Sequence, residues 1–405
     1  MRLGWTSRVA VAAIALATAS LGAQAPAPPS AAPGGEPGSE LQVYVMTMGP
    51  GDQIWERFGH NALGIRDRST ATNVVYNWGV FRFTEADFLP RFLRGEMRYS
   101  VEPYDYFLTV AYYESINRSV EVQELDLTPA QKLAIREYVE WNARDENKFY
   151  RYDYFGDNCS TRVRDVLDKA LGGALKRQFG TVPSGMSYRD EAKRLTETDL
   201  LYTGIDIGLG TPSDHPMTRW ESMYIPMRLR DALREVKVAG PSGEVPVVAS
   251  ESTVFAAKRP AEPAAPAWHG IRYLLIGLVL ALLIVVLADR APRASRGIAG
   301  TWSVLSGIFG VLLVALWTLT RHVWAYRNVN LLLFHPLWIV IAVLVFRKSA
   351  SGRTARWVIL ASAAAALVGT VLGLTNWPQA AQQVALLAML PHAATLRTLW
   401  IRKAA

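Results

Sequence analysis

A single cysteine, Cys159, stands among the 405 residues. It lies in Asp157-Asn158-Cys159-Ser160-Thr161, just ahead of an apolar stripe at Val163, Val166, Leu167, Ala170 and Leu171. Those spacings of three and four predict a helix, with the sulfur in its first turn or immediately before it. There the unpaired backbone N–H groups and the helix dipole stabilise an anion and lower the pKa of a thiol, favouring the nucleophilic thiolate. Asp157 opposes that shift unless it caps the helix or points away. A lone cysteine can equally be a small buried hydrophobe. The polar neighbours and the position off the apolar stripe favour the reactive reading. In an exported chain one cysteine forms no internal disulfide.

A nucleophilic thiol needs a base. Two histidines precede residue 239, His60 and His215. His60, in Phe58-Gly59-His60-Asn61-Ala62-Leu63, stands where a strand begins and can be held rigidly. His215, in Ser213-Asp214-His215-Pro216, falls in a loop. A hydrogen-bonded core histidine is the competing reading for His60. Asn61, Tyr76, Asn77, Asn158 and Asp153 are candidates to support the pair. Tyr76 and Asn77 come first, because their strand can lie beside His60. No metal-ligand cluster, phosphate-binding glycine loop or haem motif occurs, so no cofactor or metal is expected.

The elements that must position these groups follow from local pattern. Leu41–Met46, Ala62–Ile65 and Val74–Val80 read as strands, and Gly49-Pro50-Gly51-Asp52 as a turn. Thr128-Pro129 opens a helix continued by Leu133, Ile135, Tyr138 and Val139. Strands and helices are mixed, which makes residues 41–238 an α+β domain. The aromatic residues between Tyr99 and Tyr113 fit a packed core more simply than a lipid-contacting groove.

Residues 1–25 read as a secretion signal: Arg2 and Arg8, the apolar run Val9–Leu21, then Ala23-Gln24-Ala25. Residues 26–40 form a flexible tether, and 239–268 a second, Pro- and Ala-rich linker. From 269 to 405 apolar runs near 271–288, 301–319, 330–346 and 356–374 are long enough to span a bilayer. A fifth, weaker run near 382–400 is broken by Pro391. Half of the residues are hydrophobic and the formal net charge is +8. That excess sits in clusters beside the apolar runs: Arg290, Arg293 and Arg296; Arg347, Lys348, Arg353 and Arg356; Arg397, Arg402 and Lys403. Basic loops of this kind face the cytoplasm, so five spans and an extracytoplasmic N-terminal domain satisfy the pattern, with the C-terminus cytoplasmic. Nucleic acid is excluded as a partner, since no basic stripe or recognition module accompanies the charge. Asn330 and His335, near the outer end of the third run, are candidates for a function within the membrane, against an equal case for helix packing.

Three segments together resemble a known family. Phe58-Gly59-His60-Asn61-Ala62-Leu63, Tyr76-Asn77-Trp78-Gly79-Val80-Phe81, and Tyr152-Asp153-Tyr154-Phe155 leading into Asp157-Asn158-Cys159-Ser160-Thr161-Arg162 resemble the Lnb-type N-terminal periplasmic domain, over roughly residues 41–230. The multi-span C-terminal region fits the same layout. The resemblance implies a bacterial inner-membrane lipoprotein N-acyltransferase, with a phospholipid acyl donor and diacylglyceryl lipoproteins as acceptor. It makes Cys159 the acyl-accepting nucleophile and His60 its base. The order His-before-Cys also resembles circularly permuted papain-like thiol enzymes, which implies a permuted papain-like fold. Two other classes remain open at this point, an NlpC-type cell-wall peptidase or amidase and a non-catalytic membrane scaffold.

Overall fold

The run Leu41–Met48 is apolar at almost every position, the pattern of a strand covered on both faces. This strand, β1, lies inside a seven-stranded antiparallel sheet with β2 (His60–Asp67), β3 (Thr72–Val80), β4 (Arg98–Asp105), β5 (Val120–Leu125), β6 (Phe149–Arg151) and β7 (Val248–Phe255). The order is β7-β5-β1-β2-β3-β4-β6. These assignments come from a computed structural model that describes residues 35–197, 200–240, 243–347 and 352–401. The expected secretion signal, most of the tether, and Lys348, Arg402 and Lys403 lie outside the described residues.

β7 corrects the sequence reading. Residues 239–268 are expected to form a linker, yet Val248–Phe255 pairs along β5 as an edge strand. Val248, Thr253, Val254 and Phe255 suit a strand, while its serines and glutamate mask the apolar pattern.

Helices α2 (Tyr106–Ser115), α3 (Pro129–Asn142) and α4 (Cys159–Ala170), with the later helix Pro226–Glu235, cover the two faces, and α1 (Phe88–Arg94) stands outside these core clusters. Thr128 caps α3 by accepting from the Gln131 N–H, with Pro129 at the first helical position. Leu63, Tyr76 and Trp78 of the sheet pack on Ile135 and Val139 of α3 and Val163 and Leu167 of α4. The other face carries Ala62 and Val75 against Tyr113 of α2. Successive strand residues alternate faces. His60 and Asn77 therefore share the α2 side, and Asn61 and Tyr76 the α4 side.

Five segments are long and apolar enough to cross a membrane among the described residues. They are α6 (Gly270–Arg290), α7 (Pro292–Thr318), a third span from Val329 to Phe346 that ends in α8 (Leu337–Phe346), α9 (Arg353–Thr375) and α10 (Gln382–Ile401). The expected break at Pro391 is absent, because α10 runs through it. A transmembrane helix accommodates proline where neighbouring groups satisfy the freed carbonyl. α6 and α10 approach so closely that a side chain at Gly277 would meet the Leu387 carbonyl oxygen at 2.6 Å.

Polar groups fix the domain to the bundle. The helix α5 (Leu200–Gly208) ends in carbonyls that need partners. The Asn328 amide lies within 2.8 to 3.1 Å of the Ile207, Gly208 and Leu209 carbonyls, and Asn330 donates to Asp206 and Ile207. Gln379 reaches the Leu209 carbonyl at 3.2 Å. Asn330 is thus placed as a junction residue. His335 stacks on Trp338 within the bundle, ring centroids 5.7 Å apart.

Candidate functional site

β2 and α4 both begin with a chemically versatile residue, and the two starts face one cavity. His60 opens β2 and Cys159 opens α4. Both line one cavity of about 550 Å³, together with Asn77, Arg118 and a wall of aromatic rings that includes Trp55, Phe81 and Tyr152. The backbone N–H of Asn61, the residue after His60, is near enough to the Cys159 sulfur to pull its pKa down. A larger groove of about 1050 Å³ lies between α3 and α4 at Tyr138, Asp157 and Arg162, and neither His60 nor Cys159 lines it.

Asn158 sets the sulfur in place. Its side-chain oxygen accepts from the Ser160 and Thr161 N–H groups at 2.9 and 3.0 Å, and its amide donates to the Tyr154 and Tyr224 carbonyls. The cap is therefore Asn158, not Asp157, which pairs with Arg162. Asn61 ties the same helix to β2. Its oxygen lies 2.8 Å from Ser160 Oγ and its amide donates to Thr47 Oγ1. Gly79, at φ +89°, lets β3 turn close to the sulfur; a side chain there would meet Cys159 Cβ at 3.7 Å, but only in a strained backbone.

The imidazole is oriented from β3. Asn77 Oδ1 lies 3.2 Å from His60 Nε2, and the Asn77 amide donates to the Val75 carbonyl. That second bond fixes the amide so that oxygen faces the ring, which assigns the ring proton to Nε2 and leaves Nδ1 as the basic atom. Tyr113 stacks on His60 at 6.4 Å between centroids.

Of the five supporting candidates, then, Asn77 is the one hydrogen-bonded to the histidine. Tyr76 points to the opposite face, into the core with Trp78 and Val163, because odd and even strand positions diverge. Asn61 and Asn158 hold α4. Asp153 accepts from Phe155 N, Gly156 N and Trp324 Nε1, the last at 2.8 Å, which joins the loop before α4 to the membrane part.

Burial decides the electrostatics. It pushes the Cys159 thiol up, against the opposing pull of the Asn61 and Ser160 N–H groups and the Arg118 charge. It brings His60 down to about 4, helped by Arg118 and resisted by the Asn77 hydrogen bond. Disfavouring the imidazolium to that degree amounts to roughly 3 kcal/mol, more than one neutral hydrogen bond returns. Both groups rest neutral, thiol and imidazole, on the wall of the same cavity. The expected depression of the thiol pKa at the helix start is thus outweighed, since desolvation exceeds what two or three N–H donors supply.

Arg118 is the charged group that sequence reasoning missed. It is 4% exposed, donates to the Gly49 carbonyl at 2.8 Å, stands 3.7 Å from Glu56, and lies over the Tyr113 ring. Its Nη2 finds no partner among the described residues. An isolated arginine between a helix and a strand carries no sequence signal that distinguishes it from a surface residue. Tyr99 and Tyr113 are buried, as a packed core requires, and they also line the cavity, which the sequence did not indicate.

Two results test this balance. Alkylation of Cys159 by iodoacetamide should be slow at roughly pH 7 and climb only beyond the ordinary thiol range. A plateau already reached at neutral pH, followed by mass spectrometry, would contradict a neutral pair. In Asn77→Asp, a carboxylate beside the ring favours the imidazolium, so His60 keeps its proton to higher pH. The acid limb of the pH–rate profile should move up by about 1–3 pH units. An unmoved limb would separate Asn77 from the working base.

Fold and site together define a multi-span membrane protein whose mixed α/β domain carries a Cys/His cavity. The comparisons with known proteins narrow this class. Residues 37–190 match the family model of the Lnb N-terminal periplasmic domain, and residues 267–405 that of the Lnb transmembrane domain. The two matches cover most of the chain, and the protein belongs to the Lnb-type family, with its N-terminal domain periplasmic. No curated protein and no solved structure matches it.

Proposed function

We propose that this protein is an inner-membrane N-acyltransferase that carries a fatty acyl group on Cys159 as a thioester. The donor is a phospholipid-type ester, and the acceptor is the α-amine of a lipoprotein's diacylglyceryl-modified N-terminal cysteine. The observation that carries this reading is one aromatic-walled cavity, lined by both His60 and Cys159, in a domain anchored to membrane spans. Both substrates live in the bilayer, where tethering replaces a costly bimolecular search. The kinship with permuted papain-like enzymes belongs to the same proposal, on the His-before-Cys order, and so does the cytoplasmic C-terminus.

Each step uses groups already placed. His60 Nδ1 takes the thiol proton as Sγ attacks the ester carbonyl carbon. The developing oxyanion draws on the Asn61 N–H and the Arg118 charge. The carbon–oxygen ester bond breaks, and His60 returns its proton to the departing alkoxide, leaving a thioester and a lysolipid. The acceptor amine then attacks the thioester carbon and gives its proton to His60. The carbon–sulfur bond breaks, the thiolate recovers the proton, and an amide is formed.

The test is mass spectrometry of lipoprotein N-termini in a strain lacking its own N-acyltransferase. Wild-type protein should restore the N-acyl mass and Cys159→Ala should not. Equal restoration by both would exclude a nucleophilic thiol. Release of wall fragments by the protein, with no N-acylation, would favour a peptidase instead.

A further inference from the structure

An unbroken row of aromatic rings leads from the membrane junction to the sulfur. Phe92 meets His322, in the loop that follows α7, with centroids 6.3 Å apart. From Phe92 the row passes to Phe88 at 6.2 Å, Phe81 at 5.7 Å, Tyr99 at 4.9 Å and Tyr152 at 4.3 Å. Tyr152 is close enough to Cys159 to feel its charge, and both line the same cavity.

The helix at the outer end of this row shows its apolar side to the surroundings. On α1, Leu89 is 61% and Leu93 59% exposed, and beside them Phe83 is 59% and Trp55 51% exposed. Trp55 packs on Phe83 at 5.3 Å and itself lines the cavity, so this patch is continuous with the site. Apolar surface of this extent in water marks an interaction site. What covers it follows from where α1 is fastened. The Arg94 carbonyl accepts from the Arg321 N–H at 2.7 Å, and the Phe92 carbonyl from the His322 ring at 3.0 Å. Arg321 and His322 stand three and four residues past the end of the spanning helix α7, which places α1 at the level of the bilayer surface.

We propose that α1, with Trp55 and Phe83, is immersed in the outer leaflet of the membrane and forms a lip over which a lipid acyl chain passes sideways into the cavity along the aromatic row. A short helix with its apolar side in the acyl region and its arginines at the headgroups is an interfacial element, not a water-facing one. The ligand class is a bilayer lipid carrying a long saturated or unsaturated chain. The immersion of α1 stands without the acyl-transfer reading; only the identity of what travels along the row rests on it.

The lone cysteine makes the test direct, because Cys159→Ala leaves a thiol-free chain. In that background Leu89→Cys, Leu93→Cys and, as a water-facing control on α3, Glu137→Cys are labelled with an environment-sensitive fluorophore. The full-length proteins are reconstituted into bilayers of phosphatidylethanolamine and phosphatidylglycerol with brominated chains. Labels at 89 and 93 should be quenched several-fold more than the label at 137. Equal quenching at all three would overturn the proposal, whatever reaction the protein performs.

A second arm, with Cys159 restored, uses Leu89→Glu/Leu93→Glu. Acylation of Cys159 from a bilayer-embedded phospholipid should fall by roughly tenfold or more, while acylation by a short-chain water-soluble ester should change little. A loss shared equally by both donors would contradict the lip. Quenching at 89 and 93 together with no acylation from either donor would leave the lip in place and remove the acyl-transfer reading.

Discussion

Cys159→Ser should reduce acyl transfer by at least about 10⁴-fold while leaving the fold in place. The hydroxyl is close to the thiol in size, but it is far less acidic, and the base available to it is weak. His60 sits near 4 because burial disfavours its charged form, so it cannot deprotonate an alcohol well. The thiol is itself raised by burial, yet it starts from a much lower value and forms a more reactive thioester. The Ser160 and Thr161 N–H groups are satisfied by Asn158 rather than by the sulfur alone, so the start of α4 survives the change. The melting temperature should stay within about 3 °C of wild type. A variant that keeps a tenth of the activity would mean that another group accepts the acyl chain.

His60→Ala should cost about 10³-fold near neutral pH and should change the shape of the pH profile. In the wild type, the imidazole remains unprotonated down to about 4, so the acid limb should lie well below the usual range of histidine. Without it, reaction depends on the small fraction of free thiolate. Because burial raises the thiol, that fraction keeps increasing with pH beyond 9.0. The variant's rate should therefore climb steadily with pH where wild type is flat. Stability gives a second readout. The unfolded chain binds a proton on this histidine below its ordinary value of 6.5, and the folded chain does not until about 4. Wild type thus loses stability as pH falls through that window, by roughly 2 kcal/mol at pH 5, and His60→Ala should lack this part of the loss. Denaturant midpoints of the two proteins at pH 7 and pH 5 measure the difference. Parallel pH dependence of both would mean that the imidazole is not buried as described.

The parts legible in the sequence were those with local causes. The position of Cys159 at a helix start follows from an apolar stripe that begins at Val163, and the order of spans follows from apolar runs and basic loops. His60 could be placed at a strand edge for the same reason, since Gly59 precedes it and Ala62 to Ile65 continue it. Asn77 and Tyr76 could not be separated in advance. Only the pairing register and the covering helices decide which face of β3 meets His60, and that places Asn77 with His60 on the α2 side and Tyr76 in the opposite core. The net effect on the thiol was likewise beyond reach, because it depends on how many rings exclude water from the sulfur. Arg118 and Asn330 show the general case: each owes its role to partners more than sixty residues away, at Gly49 and at Asp206. β7 was hidden by its polar residues, and Pro391 suggested an interruption that the packing of α10 against α6 overrides.

The most direct test is to incubate the full-length protein in bilayers with a phospholipid bearing an isotope-labelled acyl chain, with no amine acceptor present, and then to weigh the peptide containing Cys159. The mechanism predicts one acyl group on that peptide, released by neutral hydroxylamine and lost on addition of a diacylglyceryl peptide that gains the same label. A labelled acceptor formed at the normal rate, with the cysteine never carrying the chain, would contradict a thioester at Cys159.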